Sequence, residues 1–255
     1  MPDSDDLTRF TSDDIRVYTD EDELFLPSVT SCIDQKPEPK GLKIWKENND
    51  GSGDNPRWQD ILSYKADRGT LIHYELLNEF FDGDMYGENE ETAEESLKDD
   101  SGTNLYDDEW SSYQEDLSFA RNAWAAIKQE RGITSENVIR VECFVTNTNT
   151  GYAGQFDLLY IDGDGNLVLS DLKTSKRIYD KHKMQLVAYD NALNLDIDVL
   201  EVIRIHPDSS TYEILHDDEW FEARDHYWDE FSRLRATMDN LEERMDKALE
   251  DGVED

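Results

Sequence analysis

Cysteine is nearly missing from this chain, basic residues are scarce, and no long apolar run occurs. Two cysteines in 255 residues, Cys32 and Cys143, are too few and too far apart to supply a zinc or iron–sulfur ligand set from one chain. Both suit burial as small hydrophobes, and no iron–sulfur cluster is expected. No stretch of 18 apolar residues is present, so neither a spanning helix nor a membrane partner is expected. The opening residues MPDSDDLTRF carry neither the basic nor the apolar region of a secretion signal, and a cytoplasmic location is the expectation. Lysine and arginine total 25 against 61 acidic residues, a formal net charge of −36. That balance lacks the basic footprint usual for nucleic-acid binding at ordinary salt. It fits a salt-filled cytoplasm, such as that of a halophilic archaeon or the host of its virus; the competing reading is an acidic mimic of DNA. In about 1 M salt the Debye length is about 3 Å, so an acidic surface repels neither itself nor a DNA strand strongly.

What is present centres on Gly151 to Tyr189. Gly154–Ile161 and Leu167–Leu172 are rich in Leu, Val, Ile and aromatic residues, and the Asp-Gly pairs at 162–165 signal a hairpin between them. The Asp-Gly run superficially suggests a calcium loop, but an EF-hand needs Gly at its sixth position and Glu at its twelfth, where this chain has Leu167 and Lys173. It reads as a turn. Pairing across it sets Asp157 beside Asp171, and two such carboxylates can hold a hard cation, magnesium or manganese. Lys173 lies two residues beyond Asp171 and shares its face of the strand. The set suits phosphodiester hydrolysis, with the cation polarising a phosphoryl oxygen and the lysine orienting water or stabilising the developing charge. Lys173, Lys176, Arg177, Lys181 and Lys183 place five of the 25 basic residues in eleven positions, opposed only by Asp180. They adjoin the proposed cation, where phosphates would lie; a lysine-rich helix start is the plain alternative.

At these residues the sequence resembles the PD-(D/E)XK nuclease superfamily, and within it the RecB-like exonuclease branch. The resemblance is carried by Gly154-Gln155-Phe156-Asp157, then Asp171-Leu172-Lys173-Thr174, then Gln185 and Tyr189. Upstream, Arg68-Gly69-Thr70-Leu71-Ile72-His73 is similar to the branch's helix-borne histidine motif, and Glu142 sits where the branch often has an acidic residue. Leu26-Pro27-Ser28-Val29-Thr30 and Trp45 are similar to the lead-in of viral and mitochondrial single-strand exonucleases. The resemblance spans Leu26 to His206 and implies an α/β, restriction-endonuclease-like fold with a mixed central sheet flanked by helices. It implies cation ligation by His73, Asp157, Asp171 and the carbonyl of Leu172, and catalysis by Lys173. Gln185 and Tyr189 would orient substrate or lysine, and Glu142 would act behind the ligands or position water. The implied activity is an exonuclease on single-stranded DNA ends, with replication or recombination proteins as partners. An endonuclease of the same fold and a non-catalytic DNA-binding module are the rival readings.

Taken in order, residues 1–24 are acidic and weakly apolar, and are expected to be mobile. Residues 26–66 read as a helical lead-in, with a short helix over 41–47. A helix is expected from Arg68 to Phe81, started by Asp67 or Thr70, with His73 near its beginning. Residues 82–116 hold 14 acidic residues and one lysine, Lys98, and 82–109 read as an exposed, partly disordered insertion. Trp110 to Arg131 has apolar residues every three or four positions and is an amphipathic helix ended by Gly132. The catalytic core is expected over 138–206. There, a strand over Val138–Val145 places Val141, Cys143 and Val145 on one face, a helix covers Lys181–Leu193 and a strand covers Val199–His206. Tyr212–Leu215 reads as a short strand. Residues 219–250 form a closing helix whose stripe runs through Phe231, Leu234, Met238, Leu241, Met245 and Leu249. One nuclease domain is expected to take in all 255 residues.

Overall fold

The structure is a computed structural model that describes residues 8–12, 15–19, 25–53, 56–83, 85–99 and 108–238. Strands β1 (Thr8–Ser12), β2 (Ile15–Thr19) and β3 (Phe25–Pro27) form a small antiparallel sheet, followed by helices α1 (Val29–Ile33) and α2 (Lys40–Asn48). Next come the long helix α3 (Trp58–Leu77), then α4 (Glu88–Lys98) and α5 (Glu109–Arg131). The second half runs β4 (Val138–Asn147), β5 (Tyr152–Ile161), β6 (Leu167–Lys173), α6 (Asp180–Ala192), β7 (Val199–His206), β8 (Thr211–His216) and α7 (Arg224–Ala236).

The five strands β4 to β8 lie side by side in sequence order. Only β6 and β7 are parallel, because they alone are joined by a helix long enough for the crossover; the other neighbours are antiparallel. Leu159, Leu169, Leu200 and Val202 pack against Val29, Met184, Val187 and Phe231 on one face. Leu158, Tyr160, Val168, Ile203 and Ile205 pack against Ile72, Leu76, Trp124 and Ile127 on the other. The protein is therefore α/β, with a mixed central sheet flanked by helices. No helix among the described residues is long and apolar enough to cross a membrane.

Several boundaries differ from those expected. Helix α3 does not begin at Asp67 or Thr70 but runs unbroken from Trp58, so His73 lies in its second half. Tyr64, Arg68, Leu71, Ile72 and Leu76 form one buried stripe through Gly69, and burial of that stripe outweighs the glycine's poor propensity. Part of the acidic insertion is helical: Ala93 and Leu97 of α4 are buried, and Ser96 donates a 2.8 Å hydrogen bond to Asp67. In the segment expected to be mobile, β2 pairs with both β1 and β3, and Val17 and Tyr18 are buried. Residues 1–7 and 20–24 lie outside the described residues, as do Leu241, Met245 and Leu249 of the expected closing stripe. Gly132 ends α5 in the left-handed conformation, φ +68°, which a glycine adopts at least cost.

Behind the sheet, Glu201 of β7 is fully buried yet fully partnered. Tyr160 and Ser170 hydroxyls each donate to its Oε1 at 3.0 Å, while Arg131 at 2.7 Å and His216 at 3.0 Å flank Oε2. The neighbouring Glu201 carboxylate lifts His216 above its ordinary pKa, with burial opposing. A group whose folded value is raised contributes stability that is complete below the unfolded value, about 6.5, and is lost as pH rises through the folded value. His216→Gln is therefore expected to flatten the fall in the urea midpoint above about pH 6.5; a fall as steep as the wild type's would count against this linkage.

Candidate metal centre

Strands β5 and β6 pair from Ile161–Leu167 down to Leu158–Ser170. The next position in that register is Asp157 and Asp171, and there the ladder changes partners. The amide of Leu172 donates to Asp157 Oδ2 at 2.6 Å, so a carboxylate takes the place of a strand carbonyl. At the far end of the hairpin Asp162 is used up as a turn: its Oδ1 accepts the amides of Asp164 and Asn166, both at 2.9 Å.

Glu142 in β4 falls opposite Asp157, between the pairs Val141–Leu158 and Cys143–Phe156. Its φ is +47°, a left-handed conformation that costs a non-glycine residue about 1–2 kcal/mol. Such strain persists only where surrounding structure holds it, often at functional sites. The alternation of both strands breaks here. Val141 packs with the α3 and α5 core whereas Cys143 and Val145 pack with the α6 and α7 core, and Leu158 and Phe156 divide in the same way. The expected single face for Val141, Cys143 and Val145 is thus corrected: the backbone reversal at Glu142 turns the strand over.

Helix α3 brings His73 to this point. Its Nδ1 lies 3.7 Å from Asp157 Oδ2 and 3.9 Å from Glu142 Oε1, and ligand atoms of the three residues all lie within 4.8 Å of one another. Glu142, expected behind the ligands or positioning water, lies in this group beside His73 and Asp157. Asp171, expected as a ligand, is fully buried beside Lys173, with Oδ2 2.7 Å from Nζ. That contact is an ion pair without an aligned hydrogen bond, and Oδ1 has no partner. Leu172 is buried in the α3 and α5 core.

Burial raises the pKa of Asp171 to about 6, with Lys173 pulling it down and Asp157 pushing it up. Burial likewise raises Asp157, against the pull of His73 and Lys173. Desolvation would lower Lys173 and His73, but the carboxylates outweigh it: Asp171 and then Asp157 raise Lys173, and Asp157 and then Glu142 raise His73. Three carboxylates thus share two cationic groups in a poorly hydrated place. One imidazole, oxygen donors and an orphaned buried carboxylate oxygen fit a hard divalent cation such as magnesium or manganese.

Gln185 and Tyr189 share a face of α6, and Gln185 Nε2 donates to the Tyr189 hydroxyl at 2.7 Å. Burial holds that phenol well above its ordinary pKa, and the charge of Asp171 adds to the effect. The ring lies over Gly154, where a Cβ would come within 2.5 Å of Tyr189 Cε1. Close approach therefore explains the glycine of Gly154-Gln155-Phe156-Asp157. Lys176, Arg177 and Lys181 are exposed, with Arg177 over the Tyr179 ring at 5.0 Å. Lys183 instead is half-buried, near Asp180 at 3.8 Å and the Trp220 ring at 5.9 Å. Thr174, the last residue of the Asp171–Thr174 motif, and Arg204 lie at the end of β6: a Cβ on Gly69 would lie 3.2 Å from Thr174 Oγ1, and Arg204 donates to the Lys176 carbonyl at 3.2 Å. No signal in the sequence marked Arg204.

In comparisons with known proteins, no family model matches the chain and no curated protein matches it.

The strain and charge crowding at Glu142 have a measurable consequence. Asparagine accepts the left-handed conformation more readily than glutamate and removes one carboxylate. In chelator, Glu142→Asn is expected to stabilise the protein by about 1 kcal/mol, a rise in thermal midpoint of about 2–4 °C; a lower midpoint would contradict it.

Proposed function

We propose that the chain is a magnesium- or manganese-dependent nuclease of the PD-(D/E)XK superfamily that hydrolyses phosphodiester bonds at the ends of single-stranded DNA. The observation that carries this reading is the convergence of His73, Glu142 and Asp157 with the Asp171–Lys173 pair where β5 and β6 part. Residues from four separate segments meet there, and no packing demand requires two buried carboxylates beside a lysine. His73, Glu142 and Asp157 would hold the cation, with the free oxygen of Asp171 as a further donor. When bound, such an ion supplies polarisation of a phosphoryl oxygen and acidification of water. Asp171 keeps Lys173 charged and fixed, so its ammonium can orient the attacking water and stabilise charge developing on the phosphoryl group. Tyr189, held by Gln185, packs on the strand that carries Asp157. Exposed Lys176, Arg177 and Lys181 stand ready for the phosphates on either side of the scissile bond.

The choice of DNA, of single strands and of ends rests on the resemblance to RecB-like exonucleases at Gly154–Asp157, Asp171–Thr174, Gln185, Tyr189 and Arg68–His73. The charge of −36 assigns the activity to high salt, where its long-range repulsion of a DNA strand is screened. Function in replication, recombination or repair inside a salt-rich cytoplasm follows from the same reading.

The test is release of label from end-labelled single-stranded DNA in about 2 M salt, with magnesium, manganese or chelator. Cation-dependent release is expected, and Lys173→Met should slow it by about 10²–10³-fold while closed circular DNA survives. Cleavage of circles would convert the reading to an endonuclease. Folded protein that cuts neither form, or that cuts equally well with Met at position 173, would overturn it.

A further inference from the structure

Two residues in the middle of α3 sit at positions that a helix does not favour on its own account. Arg68, five residues before His73, has its guanidinium only 2% exposed. It donates to Asp116 of α5 at 2.7 Å and to Asp208, just beyond β7. Gly69 follows it, where alanine would be the better helix former. A Cβ on Gly69 would lie 3.2 Å from Thr174 Oγ1, inside ordinary van der Waals contact, and Thr174 directly follows Lys173.

The rest of the buried face of α3 is Tyr64, Leu71, Ile72, Leu76 and Leu77. Apolar contacts of this kind are non-directional and tolerate a small slide of one element past another. A guanidinium whose Nη1 donates to two carboxylates is more sensitive to such a slide, and a Cβ at Gly69 would crowd Thr174. Removing one partner from a buried charge leaves it uncompensated, so Arg68 is held to positions where Asp116 and Asp208 are within reach. His73 lies about 7.5 Å further along the axis, on the one element that carries an imidazole to the cluster with Glu142 and Asp157.

We propose that Arg68 and Gly69 are positioning residues: together they fix where α3 lies along the end of the central sheet and so deliver His73 to the cation site. The inference rests on the reading of His73, Glu142 and Asp157 as cation ligands. It accounts for Arg68 and Gly69 preceding the histidine, because each contacts a different wall of the site, α5 with the end of β7 in one case and the exit of β6 in the other.

The test uses the full chain and manganese alone, with affinity from titration calorimetry and imidazole ligation from the nitrogen couplings in the manganese electron-spin echo. Gly69→Ala favours the helix but presses on Thr174. It is expected to weaken manganese binding by about 10–100-fold and to diminish the nitrogen coupling, and adding Thr174→Ala is expected to restore both. Arg68→Lys keeps the charge on a shorter side chain whose ammonium does not reach the position of Nη1 without a shift of the helix, and is expected to weaken binding in the same sense. Wild-type affinity and coupling in folded Gly69→Ala, or failure of Thr174→Ala to restore them, would overturn the role of Gly69. Unchanged binding in Arg68→Lys would overturn that of Arg68. If instead the wild type shows no nitrogen coupling, or His73→Ala binds manganese as well as the wild type, the cation-site reading itself fails and this inference falls with it.

Discussion

A carboxylate removed from water resists ionisation unless a cation or a set of donors replaces its lost hydration. Among the described residues, acidic groups withdrawn from water meet that demand in different ways. Glu201 receives two hydroxyls on one oxygen and two cationic groups on the other, so nothing further is needed. Asp116 and Asp208 share the guanidinium of Arg68. Asp157 and Asp171 receive less: the first has the Leu172 amide and a histidine beyond hydrogen-bonding range, and the second has Lys173 and an orphaned oxygen. A deficit falls where β5 and β6 part, and His73, Glu142 and Lys173 are gathered around it. The unpartnered oxygen of Asp171, beside His73, Glu142 and Asp157, is the demand that the proposed divalent cation would meet.

Much of this was legible in the sequence because the informative constraints were local. The Asp-Gly turn sets the hairpin register, and that register alone makes Asp157 and Asp171 neighbours. Strand β7 and helix α5 follow from their apolar periods, and Gly132 from the conformation needed beyond a helix end. What escaped depended on contacts distant in sequence. Alternation in β4 was read straight through Glu142, because nothing local announces a left-handed residue inside a strand. For the same reason the sequence does not show how near Glu142 comes to His73 and Asp157. The sequence places the start of helix α3 some ten residues late because Asp67 and Thr70 are start signals by residue type; Thr174, more than 100 positions away, is what a side chain at Gly69 would meet. The acidic stretch around α4 lacks a strong apolar stripe, and its two buried residues, Ala93 and Leu97, are too few to signal a helix.

The charge distribution ties composition to the site. Acidic residues outnumber basic ones 61 to 25, yet Lys173 lies at the cluster, Arg68 inside the helix that carries His73, and an exposed basic group around the start of α6. An anionic strand approaching in dilute buffer would meet the field of the whole surface before these few residues. In concentrated salt that field collapses within a few ångströms, about 3 Å at 1 M, while contacts at the site act at shorter range still. The acidic surface and a phosphate-binding centre are therefore compatible.

The most direct test of the central claim is to locate a bound ion. Crystals grown with manganese, measured for anomalous scattering, should show a peak at the parting of β5 and β6, ligated by Asp157 and the imidazole of His73, with Glu142 or Asp171 completing the set. A peak at some other cluster of carboxylates, or none at this position under saturating manganese, would contradict the account.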